Sequence, residues 1–155
     1  MVAIPSTVER VPLHTAPEDN QRIWRQTEMN VALYTRLGDE AINRRLQELE
    51  EEWDIERALE ANAASVSLLG LALGATVDRR LFILPALVAG FLLQHAVQGW
   101  CPPISLFRRL GFRTAMEIDE ERYALKALRG DFGPIGPGPK NPDDRASQAS
   151  MAARL

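Results

Sequence analysis

The sequence predicts an all-α protein: a transmembrane helical hairpin, preceded by N-terminal amphipathic helices and followed by a short C-terminal amphipathic helix. Three observations carry that expectation. Two apolar runs, residues 61–77 and 81–100, are 17 and 20 residues long, and a helix needs roughly 17–25 such residues to cross a bilayer. The first run holds no ionisable residue and the second holds only His95. Between them, Asp78-Arg79-Arg80 is polar enough for a water interface, and charged residues crowd the remaining segments at helical spacing. The alternative is a buried helix pair inside a soluble helical bundle.

Average composition conceals this. The chain has 155 residues, room for one ordinary domain, and a net charge of -3. Residues 1–60 hold 13 Asp/Glu against 7 Lys/Arg, and residues 61–155 hold 8 against 11. No basic patch interleaved with aromatics appears, so no nucleic-acid role is expected. A basic segment after the hairpin suits anionic lipid heads. The single cysteine excludes an internal disulfide and a Cys-rich metal site. The first residues, MVAIPSTVERVPLH, lack a basic start and a long apolar run, so no secretory signal is read there.

Residues 1–14, with Pro5 and Pro12, read as an irregular lead-in. Residues 15–60 read as cytoplasmic amphipathic helices. Thr15-Ala16-Pro17-Glu18 matches a capping box with Pro in the first turn. The helix it opens carries Trp24, Thr27, Val31 and Tyr34 as a modest stripe and runs to about Leu37. Gly38 fits a C-cap and Asp39 the next N-cap. The second helix carries Ile42, Leu46, Leu49 and Trp53 as its apolar stripe. Glu50-Glu51-Glu52 lies on its charged surface and reads as a solvated face, because a calcium loop alternates its ligands. No helix breaker separates Asp39 from Val77, so this helix is expected to continue into the first span.

Residues 61–103 form the hairpin, with spans at about 61–77 and 81–100. In lipid, small residues allow the close backbone approach that holds helices together. Gly70 and Gly74 in one span are expected to face Ala86 and Gly90 in the other. Pro85 sits early in the second span, where it is tolerated. Residues 104–132 form an interfacial segment and helix: Arg108, Arg109 and Arg113 are placed to reach lipid phosphates. Thr114-Ala115-Met116-Glu117 is a second capping box, opening a helix that ends near Arg129 at Gly130. Residues 133–155 are Pro/Gly-rich and then polar, the composition of a disordered tail.

Arginines flank the outer ends of the spans at 44, 45, 57, 108, 109, 113 and 122, while the turn carries Arg79 and Arg80. The positive-inside rule then puts both termini in the cytoplasm. Cys101 follows at the cytoplasmic edge.

Chemistry-bearing residues gather at the end of the second span. Gln94, Gln98 and Cys101 stand at i, i+4 and i+7, one face of a continued helix, with His95 beside them. An ionisable residue inside a membrane is a functional candidate by default. The plainer role for His95 is a hydrogen bond to Ser65 or Asn62 on the first span. Arginines and His95 near Cys101 would favour its thiolate. No Ser/His/Asp set, phosphate loop or paired-His metal motif is present, and neither cofactor nor metal is expected.

At 61–111 the order of parts resembles the YgaP-like inner-membrane transmembrane-domain family, a two-helix bacterial domain of unknown function. The matching residues are Gly70 and Gly74, the short turn, Gly90, and Gly99-Trp100-Cys101-Pro102 leading to Leu110-Gly111. The resemblance covers about a third of the chain and implies a bacterial inner (plasma) membrane location, multi-pass. Some members carry a fused rhodanese; this chain has no such domain and no second cysteine. The expected protein is therefore not an enzyme but a membrane-anchored structural or interaction protein. Its partners are the lipid bilayer and, through residues 15–60, a second copy or a cytoplasmic protein. The alternative is a thiol/sulfur-handling or small-solute membrane protein using Cys101 and the Gln94/His95/Gln98 face.

Overall fold

The computed structural model describes residues 6–133 and 149–151. Every regular element among them is helical. The helices are α1 (Pro17–Leu37), α2 (Asp39–Glu51), α3 (Ile55–Thr76), α4 (Ile83–Gln98), α5 (Ile104–Arg109) and α6 (Ala115–Arg129). Short 3-10 segments, Pro12–His14 and Arg79–Phe82, precede α1 and α4. The chain divides into two units: Met1–Arg25 with Trp53–Ile118, and Gln26–Glu52 with Asp119–Leu155.

In the first unit α3 and α4 lie side by side. Two helical runs are long and apolar enough to cross a membrane, one ending at Thr76 and the other Arg79–Gln98. The expected uninterrupted helix from Asp39 is broken at residues 52–54. Glu52 turns to extended backbone, and Asp54 caps α3 by accepting the Arg57 N–H at 2.7 Å. Asp54 competes for a local backbone donor, which is why it favours a helix start over a helix interior.

Small residues do bring the two helices together, but not in the expected pairing. A Cβ on Gly70 would stand 2.8 Å from Pro85 Cδ, and one on Gly74 would stand 2.8 Å from the Phe82 ring. Gly90 has nothing within 4 Å of that position and Ala86 is exposed. The 3-10 segment explains the shift. It folds Phe82–Pro85 directly back over the end of α3, and Ala86 and Gly90 rotate away.

A buried cluster of Val11, Ile55, Leu59, Cys101 and Ile104 sits at the opposite end of these helices, with Phe107 and Phe112 packed on it edge to face. Residues 6–14 form turns and a short 3-10 segment, and from them Val11, 2% exposed, enters this cluster. Thr15 Oγ1 donates to the Val11 carbonyl at 2.8 Å, not toward the α1 N-terminus. The Ile55 N–H donates to the Arg113 carbonyl at 2.8 Å, fixing α3 to the chain before α6.

The side chain that ties this region is Arg108, fully buried. Its Nη1 and Nη2 donate to the two Glu117 carboxylate oxygens at 2.6 and 2.7 Å, and also to the Phe112 carbonyl and Asn20 Oδ1. Glu117 meanwhile closes the expected capping box, accepting the Thr114 N–H at 2.8 Å while Thr114 Oγ1 accepts the Glu117 N–H. The expectation that Arg108 and Arg113 reach lipid phosphates is therefore corrected. Arg108 is 0% and Arg113 5% exposed, and of the three only Arg109 is at the surface. An arginine with an ideal bidentate acceptor nine residues on is held by that carboxylate.

The second unit is built by the later part of α1, by α2, and by the later part of α6. Ala41, Ile42, Leu46 and Leu49 are its buried α2 positions, and Leu125 faces inward from α6. Glu121 is fully buried and accepts from Arg45 Nε at 2.7 Å and Asn30 Nδ2 at 3.2 Å. Gly38, at φ 85, ends α1 and is itself the N-cap of α2, so Asp39 falls in the first turn. The expected tail, 133–155, lies outside the described residues except at Gly133 and 149–151.

Two outcomes follow from this packing. Gly74→Leu should lower the thermal midpoint in detergent, costing about 1–3 kcal/mol by forcing Phe82 aside, and adding Phe82→Ala should restore part of the loss. An unchanged midpoint would remove Gly74 from the contact.

Burial pushes the Glu117 carboxyl up, but the Arg108 hydrogen bonds, the Thr114 N–H and the Arg108 charge outweigh it and hold the group below its ordinary 4.5. A depressed carboxylate stabilises fully above that ordinary value, and the contribution is lost as pH falls through the lower folded value. Denaturant titrations should show Glu117→Gln less stable at pH 7 by about 3–5 kcal/mol, with a smaller further loss than wild type between pH 5 and 3.

Candidate functional site

At the end of α3 and α4 away from the turn, four polar side chains come together in an otherwise apolar setting. Glu56 stands in the first turn of α3 and His95 in the last turn of α4. His95 Nε2 lies 2.8 Å from Glu56 Oε2, and Arg10 Nη2 donates to Glu56 Oε1 at 2.8 Å. Arg10 Nη1 also donates to the Ala96 carbonyl at 3.0 Å, satisfying one of the open acceptors at the α4 C-terminus. Cys101 is buried at 5% exposure, and it and Glu56 are the side chains that act on the His95 ring.

The backbone explains why these groups meet. Gly99 takes φ 82 and ends α4 with its N–H on the His95 carbonyl at 2.7 Å. Only glycine adopts this conformation freely. A Cβ there would also fall 2.6 Å from the Arg10 carbonyl carbon, so Gly99 leaves room for residues 6–14 to pass. The turn at Gly99 redirects the chain and carries Cys101 inward.

That turn also corrects the expected face. Because α4 stops at Gln98, Cys101 does not continue the Gln94–Gln98 stripe. Gln94 is half-buried and Gln98 exposed, and neither joins the Glu56–His95–Cys101 group. His95 itself is 3% exposed. Its partner is Glu56, not Ser65 or Asn62: Ser65 Oγ donates to its own helix at the Ala61 carbonyl, and Asn62 lines a groove.

The groove is apolar, about 200 Å³, and runs between α3 and α4. Leu59, Val66, Val88 and Phe91 form its walls, with Cys101 and Pro102 at one end. Chemically the group holds a carboxylate, an imidazole and a thiol in sequence, with a guanidinium fixing the carboxylate. His95 Nδ1 is buried without a hydrogen-bond partner, so the Cys101 thiol lies near the ring without bonding to it. No group of three or more His, Cys, Asp and Glu with metal-binding geometry occurs among the described residues.

Sequence reasoning missed Glu56 and Arg10. A signal for Glu56 exists: from the turn, helical rise of about 1.5 Å per residue, with the 3-10 segment at about 2.0 Å, puts Glu56 and His95 both roughly 30 Å away. Asn62 is nearer the turn by six residues. Nothing local marks Arg10, which is 86 residues from the carbonyl it binds.

Comparison with protein-family models, curated proteins and solved structures finds no match. The resemblance over 61–111 therefore rests on the residues themselves.

Gly99→Ala should release the segment around Arg10. Limited trypsin digestion of the detergent-solubilised protein should cut after Arg10 at least several-fold faster in the variant, and equal rates would show that the Gly99 contact does not hold the segment.

Proposed function

We propose that the chain is a two-span membrane protein whose role is structural or interactive, of the YgaP-like type, in a bacterial inner membrane, without enzymatic activity. One observation carries this reading. Only 6% of the most apolar part of Arg79–Gln98 is buried inside the protein, although its mean hydropathy is 1.7. Leu87, Leu93 and Val97 are among the exposed side chains. An exposed apolar surface of that extent calls for lipid or a partner to cover it, and the helix lengths favour lipid. The run Arg79–Gln98, 20 residues, is about 30 Å long, matching the roughly 30 Å hydrocarbon core, and the uncharged part of α3, residues 61–76, is about 24 Å.

The contact between Glu56 and His95 supports a common side for both flanking segments. With Arg44, Arg57 and Arg109 outside the spans against Arg79 and Arg80 at the turn, that side is the cytoplasm. Residues 15–60 then offer acidic helical surface to a second copy or a cytoplasmic protein.

Two measurements test this. Alkaline carbonate washing should leave the full-length chain in the membrane pellet; release into the supernatant would favour a soluble bundle. In a Cys101→Ser background, Asp78→Cys should react with an impermeant maleimide in intact cells, and Ser105→Cys only in inside-out vesicles. The reverse pattern would invert the topology.

The adjacency of Glu56, His95 and Cys101 favours a second reading, a thiol-handling membrane protein. A carboxylate that orients an imidazole beside a thiol is the arrangement that activates a cysteine nucleophile. Under this reading a permeant maleimide alkylates Cys101 at least ten-fold more slowly in Glu56→Gln than in wild type. Equal rates leave the thiol a packing residue.

A further inference from the structure

The second unit contains a polar cavity of about 320 Å³ between α2 and α6. Asn43, Gln47 and Glu50 line it from α2, and Arg122, Lys126 and Arg129 from α6. The three cations stand at i, i+4 and i+7, one face of a helix. Two of them are already engaged. Arg122 pairs with Asp119 and donates to the Leu49 carbonyl at 3.0 Å. Arg129 pairs with Asp131 through both Nε and Nη2, and its Nη1 reaches Asn43 Oδ1.

Lys126 differs. It is 9% exposed, lines the same cavity, and its side chain makes no hydrogen bond or ion pair among the described residues. Its ammonium lies 5.9 Å from the Tyr123 ring centroid, the outer limit of a cation–π contact. Most of the side chain is covered, and its three N–H donors open onto the cavity. Gln47 adds an amide donor from the opposite helix. Asp119 and Asp131 hold the flanking guanidiniums in place; Asp131 also feels the Lys126 charge without hydrogen-bonding to it, and exposed Glu50 is the acid on the rim.

We propose that this cavity binds a phosphate group, with Lys126 as its principal contact and Gln47 as a second donor. Several acceptor oxygens on one compact anion match donors converging from two helices, and the compact lysine charge suits phosphate. The group is either free phosphate or the head of a phosphomonoester lipid. The site does not depend on whether α3 and α4 cross a membrane.

The full-length chain in detergent should gain roughly 3–6 °C in thermal midpoint at inorganic phosphate ten times its dissociation constant, against sodium chloride of equal ionic strength. Vesicles of phosphatidylcholine with and without phosphatidic acid form the second arm. Stabilisation by inorganic phosphate assigns a free anion, and stabilisation only by phosphatidic acid assigns the lipid head. No response in either arm overturns the proposal.

Lys126→Met should abolish the response, while its midpoint without phosphate stays close to wild type, since the side chain has no hydrogen bond to lose and its apolar stem is kept. A midpoint that falls sharply would make Lys126 a structural residue and overturn its role. Gln47→Glu, at an exposed rim position that need not disturb packing, should weaken phosphate binding at least ten-fold; unchanged affinity would also overturn the proposal.

Discussion

The fully buried guanidinium of Arg108 is the constraint around which the first unit is arranged. Removing such a group from water is tolerable only when its donors are met. Glu117 meets two of them, Asn20 and the Phe112 carbonyl take two more, and only the Nε–H is left without a partner. Those three residues come from α1, from α6 and from the loop between α5 and α6. The Arg108 and Arg109 carbonyls in turn accept from Arg22 at 2.9 Å. One side chain thus fixes where three segments begin, and the Ile55 N–H bound to the Arg113 carbonyl passes that placement on to α3.

Local signals were legible where the physics is local. The second capping box, the glycine stops at Gly38 and Gly130, and both apolar helices follow from residues within a turn or two of each other. Capping at Thr114 needs only Glu117 three residues later. What stayed hidden involves long separations. Arg108 looked like a base reaching lipid phosphates because it stands with Arg109 among apolar residues just after the second span. Its acceptors at 20 and 117 become visible only when α1 and α6 are placed.

The candidate site was half legible. His95 and Cys101 stood out because polar groups are scarce in the apolar runs. The expected helical stripe failed at Gly99, where a left-handed residue ends the helix before Cys101. Periodicity extrapolated through such a glycine misassigns every residue beyond it. The pairing of small residues failed for a related reason: four residues of 3-10 backbone, with a different rise and twist, moved the contact from Ala86 and Gly90 to Phe82–Pro85.

The docking of Arg10 across Gly99 has a consequence for the timing of folding. Arg10 is made well before its carbonyl partner, which lies 86 positions later. At roughly 5–20 residues per second, the emerging segment waits several seconds for its binding surface to be synthesised. During that interval Val11 has no core to enter. Docking of this segment therefore waits for the end of α4 and Gly99 to emerge, and cannot precede them.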